Sequence, residues 1–254
     1  MAAGQLLPVT PALGAACAVL LAAAVAVAGL GRLGHGRAVL RAGVRAVLQL
    51  AAVALVIAWV VGALWSSVLF VLLMFSVAVR TAGRRITDGP GWWWAAAPIA
   101  AGVLPVLALL LATGLLPAKG LSLIPVAGIL IGGALTATSL SGRRALDELR
   151  SRQGEVEAAL VLGFEARDAR LEMSRTAAAT SLVPALDQTR TVGLVTLPGA
   201  FVGMLLGGAT PAQAGAVQLF VLVALLAVEA AAIVVVLELV GRGLLAPGAP
   251  PGVG

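Results

Sequence analysis

Uncharged apolar runs long enough for a membrane helix recur along this chain, and polar residues fall between them in short clusters. A bilayer core takes about 20 residues of helix to cross. That spacing predicts crossings at about 11–30, 42–62, 66–80, 95–116, 122–140, 190–207 and 214–240. The second and third come from one charge-free stretch, Ala46 to Val79, which is 34 residues long. As a single helix it would run about 51 Å, well beyond a core of about 30 Å. A break is therefore expected at Gly62 to Ser67, with Ser66 or Ser67 capping the next helix.

One stretch departs from this pattern. From Ser141 to Arg190 the chain carries eight basic and eight acidic residues, sixteen of its 28 charges. Leu146, Leu149, Val156 and Leu160 step by three, seven and four, which makes one apolar stripe on a helix. That helix is expected to continue the fifth crossing into water. Gly163 offers a break, and a second helix from about Glu165 would return toward Pro184. The result is a helical hairpin over about 141–190, with its tip at Glu157 to Phe164. A tip carrying an exposed Phe164 suits insertion into a groove on another protein. A merely solvated charged loop is the plain alternative.

Composition settles the class. Hydrophobic residues are 61% of the chain and charged residues 11%, against roughly 45–50% and about 25% in soluble domains. The expected fold is an all-α polytopic membrane protein of about seven transmembrane helices, since helices satisfy their own backbone in lipid. One transmembrane domain over 1–245 and a disordered Pro- and Gly-rich tail from Ala246 to Gly254 complete the outline. The high pI suggests nucleic acid, but the arginines are spread at helix ends instead of forming one patch. Alternating sides along the seven crossings puts 16 of 17 basic residues on one face, with Lys119 alone opposite. The positive-inside rule makes that face cytoplasmic. The N-terminus is then outside and the C-terminus inside, in the cell membrane. No basic residue precedes Arg32, so a cleaved signal peptide is not expected. Trp92, Trp93 and Trp94 fit an aromatic belt.

The candidate chemistry is sparse. A single cysteine, Cys17, and a single histidine, His35, leave no disulfide, zinc set or Ser-His-Asp arrangement, and no phosphate loop occurs. Neither catalysis nor a cofactor is expected. Gly199, Gly203 and Gly207 repeat every four residues in the sixth crossing, and Gly128 and Gly132 do so in the fifth. Both sets suit close helix packing or a gating seam at a subunit interface. Gly193 is a further gate or packing candidate, and Pro198 inside the sixth crossing predicts a kink. Asp187 and Arg190 stand three apart at the cytoplasmic start of that crossing, either as a helix-end pair worth under about 1 kcal/mol or as a hinge contact. Glu229 is the one carboxylate near the middle of a crossing, where a charge costs roughly 2.5–3.5 kcal/mol. It would line a cation pathway or pack as a neutral carboxyl. Thr136, Thr138 and Ser139 would line a polar path or bond their own backbone.

Two motifs resemble known permeases. The tip reads Glu157-Ala158-Ala159, then Gly163 four residues on, and resembles the EAA-x-x-x-G signature of ABC-transporter permeases. No Leu-Pro follows at the distance usual in importers. The run Pro184-Ala185-Leu186-Asp187-Gln188-Thr189-Arg190-Thr191-Val192-Gly193 and on to Leu197-Pro198-Gly199 resembles the FetB-type permease family, the membrane subunits of iron-export ABC transporters. Ile124-Pro125-Val126-Ala127-Gly128 and the Gly43-to-Leu50 run are similar to that family in order and spacing, so the resemblance covers about 40–240. It implies a homodimer with two cytoplasmic ATPase subunits docked on Glu157, Ala158, Ala159, Gly163 and Phe164, exporting a metal ion, iron first. Plant relatives are linked to aluminium tolerance and nucleotide-sugar transport, so the family leaves the cargo open. A proton- or sodium-coupled transporter using Glu229 and a non-transporting scaffold are the rival readings.

Overall fold

A computed structural model describes residues 10–117 and 119–247; residues 248–254 of the expected tail lie outside them. Ten α-helices follow in order: α1 (Pro11–Leu30), α2 (Gly36–Val61), α3 (Leu64–Ile86), α4 (Ala96–Ala112), α5 (Gly120–Ser151), α6 (Gln153–Val161), α7 (Ala166–Ala179), α8 (Val183–Thr191), α9 (Gly199–Leu206) and α10 (Pro211–Gly241). Short 3-10 turns at Pro90–Ala95 and Thr180–Leu182 precede α4 and α8. No strand occurs among the described residues; Val192 and Thr196 form one isolated bridge. Among the described residues, six segments are long and apolar enough to cross a bilayer: α1, α2, α3, α4 with its 3-10 turn, α5 and α10. The protein is an all-α polytopic membrane protein.

Glycine contacts give the directions of the helices. The Cβ positions of Gly120, Gly128 and Gly142 on α5 meet Ser67, Met74 and Ile86 in rising order along α3, so these two helices run the same way. On α10, Gly133 of α5 meets Leu225 and Glu229, and near the other end Leu146 and Val240 share a cavity wall. So α5 and α10 are also co-directional. α4 runs against them, with its Gly102 at Val228 and Gly91, in the 3-10 turn before it, at Leu244 just past α10. α2 runs against α1, where Gly43 meets Leu21 and Gly36 meets Val25. The core lies among α3, α4, α5 and α10, around Ile99, Leu130 and Val228, all 2% exposed or less. In lipid this packing is held by van der Waals contact and close approach, because surrounding chains are as apolar as the core.

The joint of α2 and α3 differs in detail from expectation. Ala63 is the N-cap of α3. Ser66 and Ser67 do not cap it; their hydroxyls donate to the carbonyls of Val60 and Ala63 at 2.7–2.9 Å. The Val60 carbonyl lies in the last turn of α2, where helical partners run out, so the serines satisfy it; the Ala63 carbonyl also accepts from the backbone N–H of Ser67 at 3.2 Å.

The expected sixth crossing, 190–207, is not one helix. Two co-directional spans, α5 and α10, require the chain between them to return. The return is made in pieces, α7, α8 and α9, lying against α10 in descending order. Arg167 and Leu171 share a wall with Leu237 and Glu238, and Leu182 with Ala230 and Ile233. Farther along, Val192 to Phe201 faces Gly215 to Leu222. Pro198 is the N-cap of α9, not a kink inside a helix. Gly193 turns the chain at φ +82°, a conformation that suits glycine. Leu197 precedes a proline, which steers it away from helix.

Candidate functional site

The hairpin extends from α5 and packs back against α10. α5 continues as one helix to Ser151, and Arg152 then breaks it at φ −110°, ψ 28°, so the first limb is two helices where the apolar stripe predicts one. Of that stripe Leu146 is buried, Leu149 and Val156 are half-buried, and Leu160 is exposed. On the returning limb Leu171, Ser174 and Ala178 recur at helical spacing and are buried, with Gly241 of α10 meeting Leu171. Arg167 closes this packing. Its guanidinium donates to both carboxylate oxygens of Glu238, at 2.9 and 2.6 Å, and that contact raises its pKa. At the α5–α6 joint Arg152 is bonded to Glu155; the hydrogen bond holds the Glu155 carboxyl below its ordinary value.

The tip that this frame holds is apolar and open. Val161, Leu162 and Phe164 are 88%, 78% and 53% exposed. Glu157 and Ala158 are exposed beside them, while Ala159 faces inward. Gly163 turns the chain at φ +92° with open space around it, and the backbone N–H of Phe164 returns to the carbonyl of Ala159 at 3.0 Å. Three apolar side chains thus stand exposed together on one short turn.

The glycine candidates separate by neighbour. Gly128 lies against the Met74 terminal methyl, whereas Gly132, Gly193, Gly199 and Gly203 have open space where a Cβ would stand. α9 buries none of its residues. Asp187 and Arg190 form an exposed pair on α8 at 3.7 Å. Glu229 is half-buried near the middle of α10. Its carboxylate sits 3.1 Å from the Cβ position of Gly133, and it makes no ion pair among the described residues. Thr136 bonds the carbonyl of Gly132. Thr138 and Ser139 are buried and their hydroxyls lack partners among the described residues.

Gln218 is a residue that sequence reasoning missed. It is 5% exposed and its carboxamide oxygen has no partner among the described residues. It lines a cavity of about 200 Å³ between α10 and the Val192–Phe201 segment. An isolated amide inside the apolar run of α10 was the available signal, since a polar group in a span is costly. The described residues hold no group of three or more His, Cys, Asp or Glu side chains placed to ligate a metal.

Residues 12–245 match the family described as "Uncharacterised protein family (UPF0014)". The chain is 36% identical over 211 residues to "UPF0014 membrane protein STAR2" of Oryza sativa subsp. japonica, covering 82% of this chain and 74% of that one. It is 39% identical over 156 residues to "Protein ALUMINUM SENSITIVE 3" of Arabidopsis thaliana, covering 61% and 57%. Against "Probable iron export permease protein FetB" of Escherichia coli (strain K12) it is 31% identical over 115 residues, covering 45% and 44%. No solved structure matches. The chain belongs to the UPF0014 family of membrane proteins.

Proposed function

We propose that this chain is the membrane permease subunit of an ABC transporter. It works as a homodimer with two separate cytoplasmic ATPase subunits, each docked on a Glu157–Phe164 tip. The observation that carries the reading is the exposed Val161–Leu162–Phe164 turn on a hairpin braced against both α5 and α10. Closure of the ATPases would move the tip, and α5 and α10 would carry that motion through the membrane. The arginine-rich end faces the cytoplasm on the positive-inside rule, which leaves the N-terminus outside and the C-terminus inside. The cargo is a metal ion, moved outward; the printed name of the Escherichia coli relative supports iron, and that of the Arabidopsis relative names aluminium sensitivity. Purification of the chain with a candidate ABC ATPase subunit from the same organism, followed by measurement of stimulated hydrolysis, tests this. Absence of a co-purifying ATPase, together with transport that survives Gly163→Pro, would reject it.

Glu229 favours a second reading, a proton- or sodium-coupled transporter, because it is a mid-span carboxylate without an ion pair among the described residues. That reading expects flux into vesicles lacking ATP, abolished in Glu229→Gln. The permease reading expects none.

A further inference from the structure

On the arginine-rich side of the bundle a groove of about 400 Å³ runs between α7 and α10. Arg167, Leu171, Arg175 and Ala179 recur every four residues along α7 and line one wall. Ile233, Val234 and Leu237 line the other, with Glu238 at its end. The groove thus carries two arginines and one carboxylate, a net charge of +1. Asp168 and Arg242, ion-paired with Arg167 and Glu238, cancel each other. Arg167 spends its guanidinium on Glu238 and Asp168. Arg175 is exposed and has neither hydrogen bond nor ion pair among the described residues. Glu172, three residues before it, lies near Arg152 and raises its pKa.

The groove crosses the level at which lipid gives way to water. The Cβ position of Gly241 on α10 meets Leu171 at 3.0 Å, and Leu182 shares the groove wall with Ala230 and Ile233, so α7 descends along α10. Arg175, one turn past Leu171, is therefore level with Leu237, one turn back from Gly241. Leu237 is the last residue of the apolar run that Glu238 ends. From there the groove continues inward past Ile233 and Val234 to Leu182 and Ala230, about 10 Å along α10. Its walls there are apolar and open, and Val234 is 65% exposed. One groove thus joins a free guanidinium at headgroup level to bare hydrocarbon walls below it.

We propose that the α7–α10 groove binds an anionic phospholipid, its phosphate held by Arg175 and an acyl chain lying along Leu182, Ile233 and Val234. Charge complementarity selects this occupant, because one anionic headgroup neutralises the net charge of +1 in the groove. A guanidinium free of other partners matches phosphate in bidentate geometry, and basic pockets between membrane helices take anionic headgroups. A zwitterionic lipid brings a cation of its own and leaves that charge uncancelled. A soluble anion leaves the apolar walls bare. The lipid lies against the Arg167–Glu238 pair, so it covers the contact that ties the hairpin to α10. The assignment does not rest on the transport reading.

The test uses the full-length protein in dodecyl maltoside, followed by thermal unfolding with added phosphatidylglycerol, phosphatidylcholine or inorganic phosphate. Phosphatidylglycerol at ten times its Kd is expected to raise Tm by roughly 4 °C, and the other two are expected to leave it unchanged. Arg175→Gln abolishes the shift and leaves the lipid-free Tm where it was, since Arg175 has no partner among the described residues. Val234→Trp, which keeps every charge and fills the apolar end, is the second variant and abolishes the shift too. An equal shift with phosphatidylcholine, a shift reproduced by phosphate alone, or a shift retained in either variant overturns the proposal. Disulfide-linked dimers of Val234→Cys in a Cys17→Ser background also overturn it, since a second copy would then close the groove.

Discussion

Arg167 grips both carboxylate oxygens of Glu238, 71 residues away, and so ties the returning limb of the hairpin to the end of α10. Glu238 also accepts from Arg242 one turn on. The hairpin, which continues α5, is thus tied to α10 as well. Arg167→Glu puts two carboxylates in contact and is expected to lower stimulated ATP hydrolysis roughly tenfold. The swap Arg167→Glu/Glu238→Arg recovers part of the loss, with Arg242 now facing a like charge. Unchanged hydrolysis in the single variant rules out this brace.

Leu162 and Phe164 separate docking from folding. Both are exposed in the isolated chain, so Leu162→Asp and Phe164→Ala should move stability within about 0.5 kcal/mol. As anchors in a partner groove each is worth about 2 kcal/mol, roughly 30-fold in Kd for the ATPase. Calorimetric binding beside a melting curve reads both quantities from one preparation.

Two glycines should behave in opposite ways. A Cβ on Gly102 would stand 2.6 Å from the carbonyl oxygen of Val228, backbone that cannot swing aside. Gly102→Ala is expected to cost about 1–3 kcal/mol and to lower Tm by several degrees. A Cβ on Gly203 meets nothing within 4 Å, so Gly203→Ala leaves the melting of the single chain unchanged. If Gly203→Ala weakens self-association on a sizing column, α9 lies in the contact between copies.

Thr210 caps α10, accepting from the backbone N–H of Gln213 while the Gln213 side chain returns to the Thr210 N–H. Thr210→Ala removes that acceptor and should cost about 0.5–2 kcal/mol. Thr210→Ser should cost little, because the hydroxyl stays. Guanidinium or thermal melts of the three proteins make the comparison.

The membrane class, six of the long spans and the charged hairpin were legible in the sequence because apolarity and arginine placement obey strong, local rules. The sixth crossing was not. Its apolar residues from Val192 to Leu206 read as a span, whereas Gly193 turns the chain and Pro198 begins a new helix. Gly133 was also hidden. Gly132 and Gly133 stand side by side in the chain, and only the position of α10 decides that Gly133 takes the close contact with Glu229. α7 shows the reverse problem. Its charges suggest a limb in water, but Leu171, Ser174 and Ala178 lay it against the bundle. A stripe of small residues carries little hydropathy, so composition underrates it.

The segmented return also bears on how the chain is made. α9 has eight residues, about 12 Å of helix, too short to enter the bilayer unaided as it leaves the ribosome. Its place is along α10, which is synthesised after it. The stretch from Val183 to Leu206, whose helices are nine and eight residues long, is therefore expected to take its place only after α10 has been made.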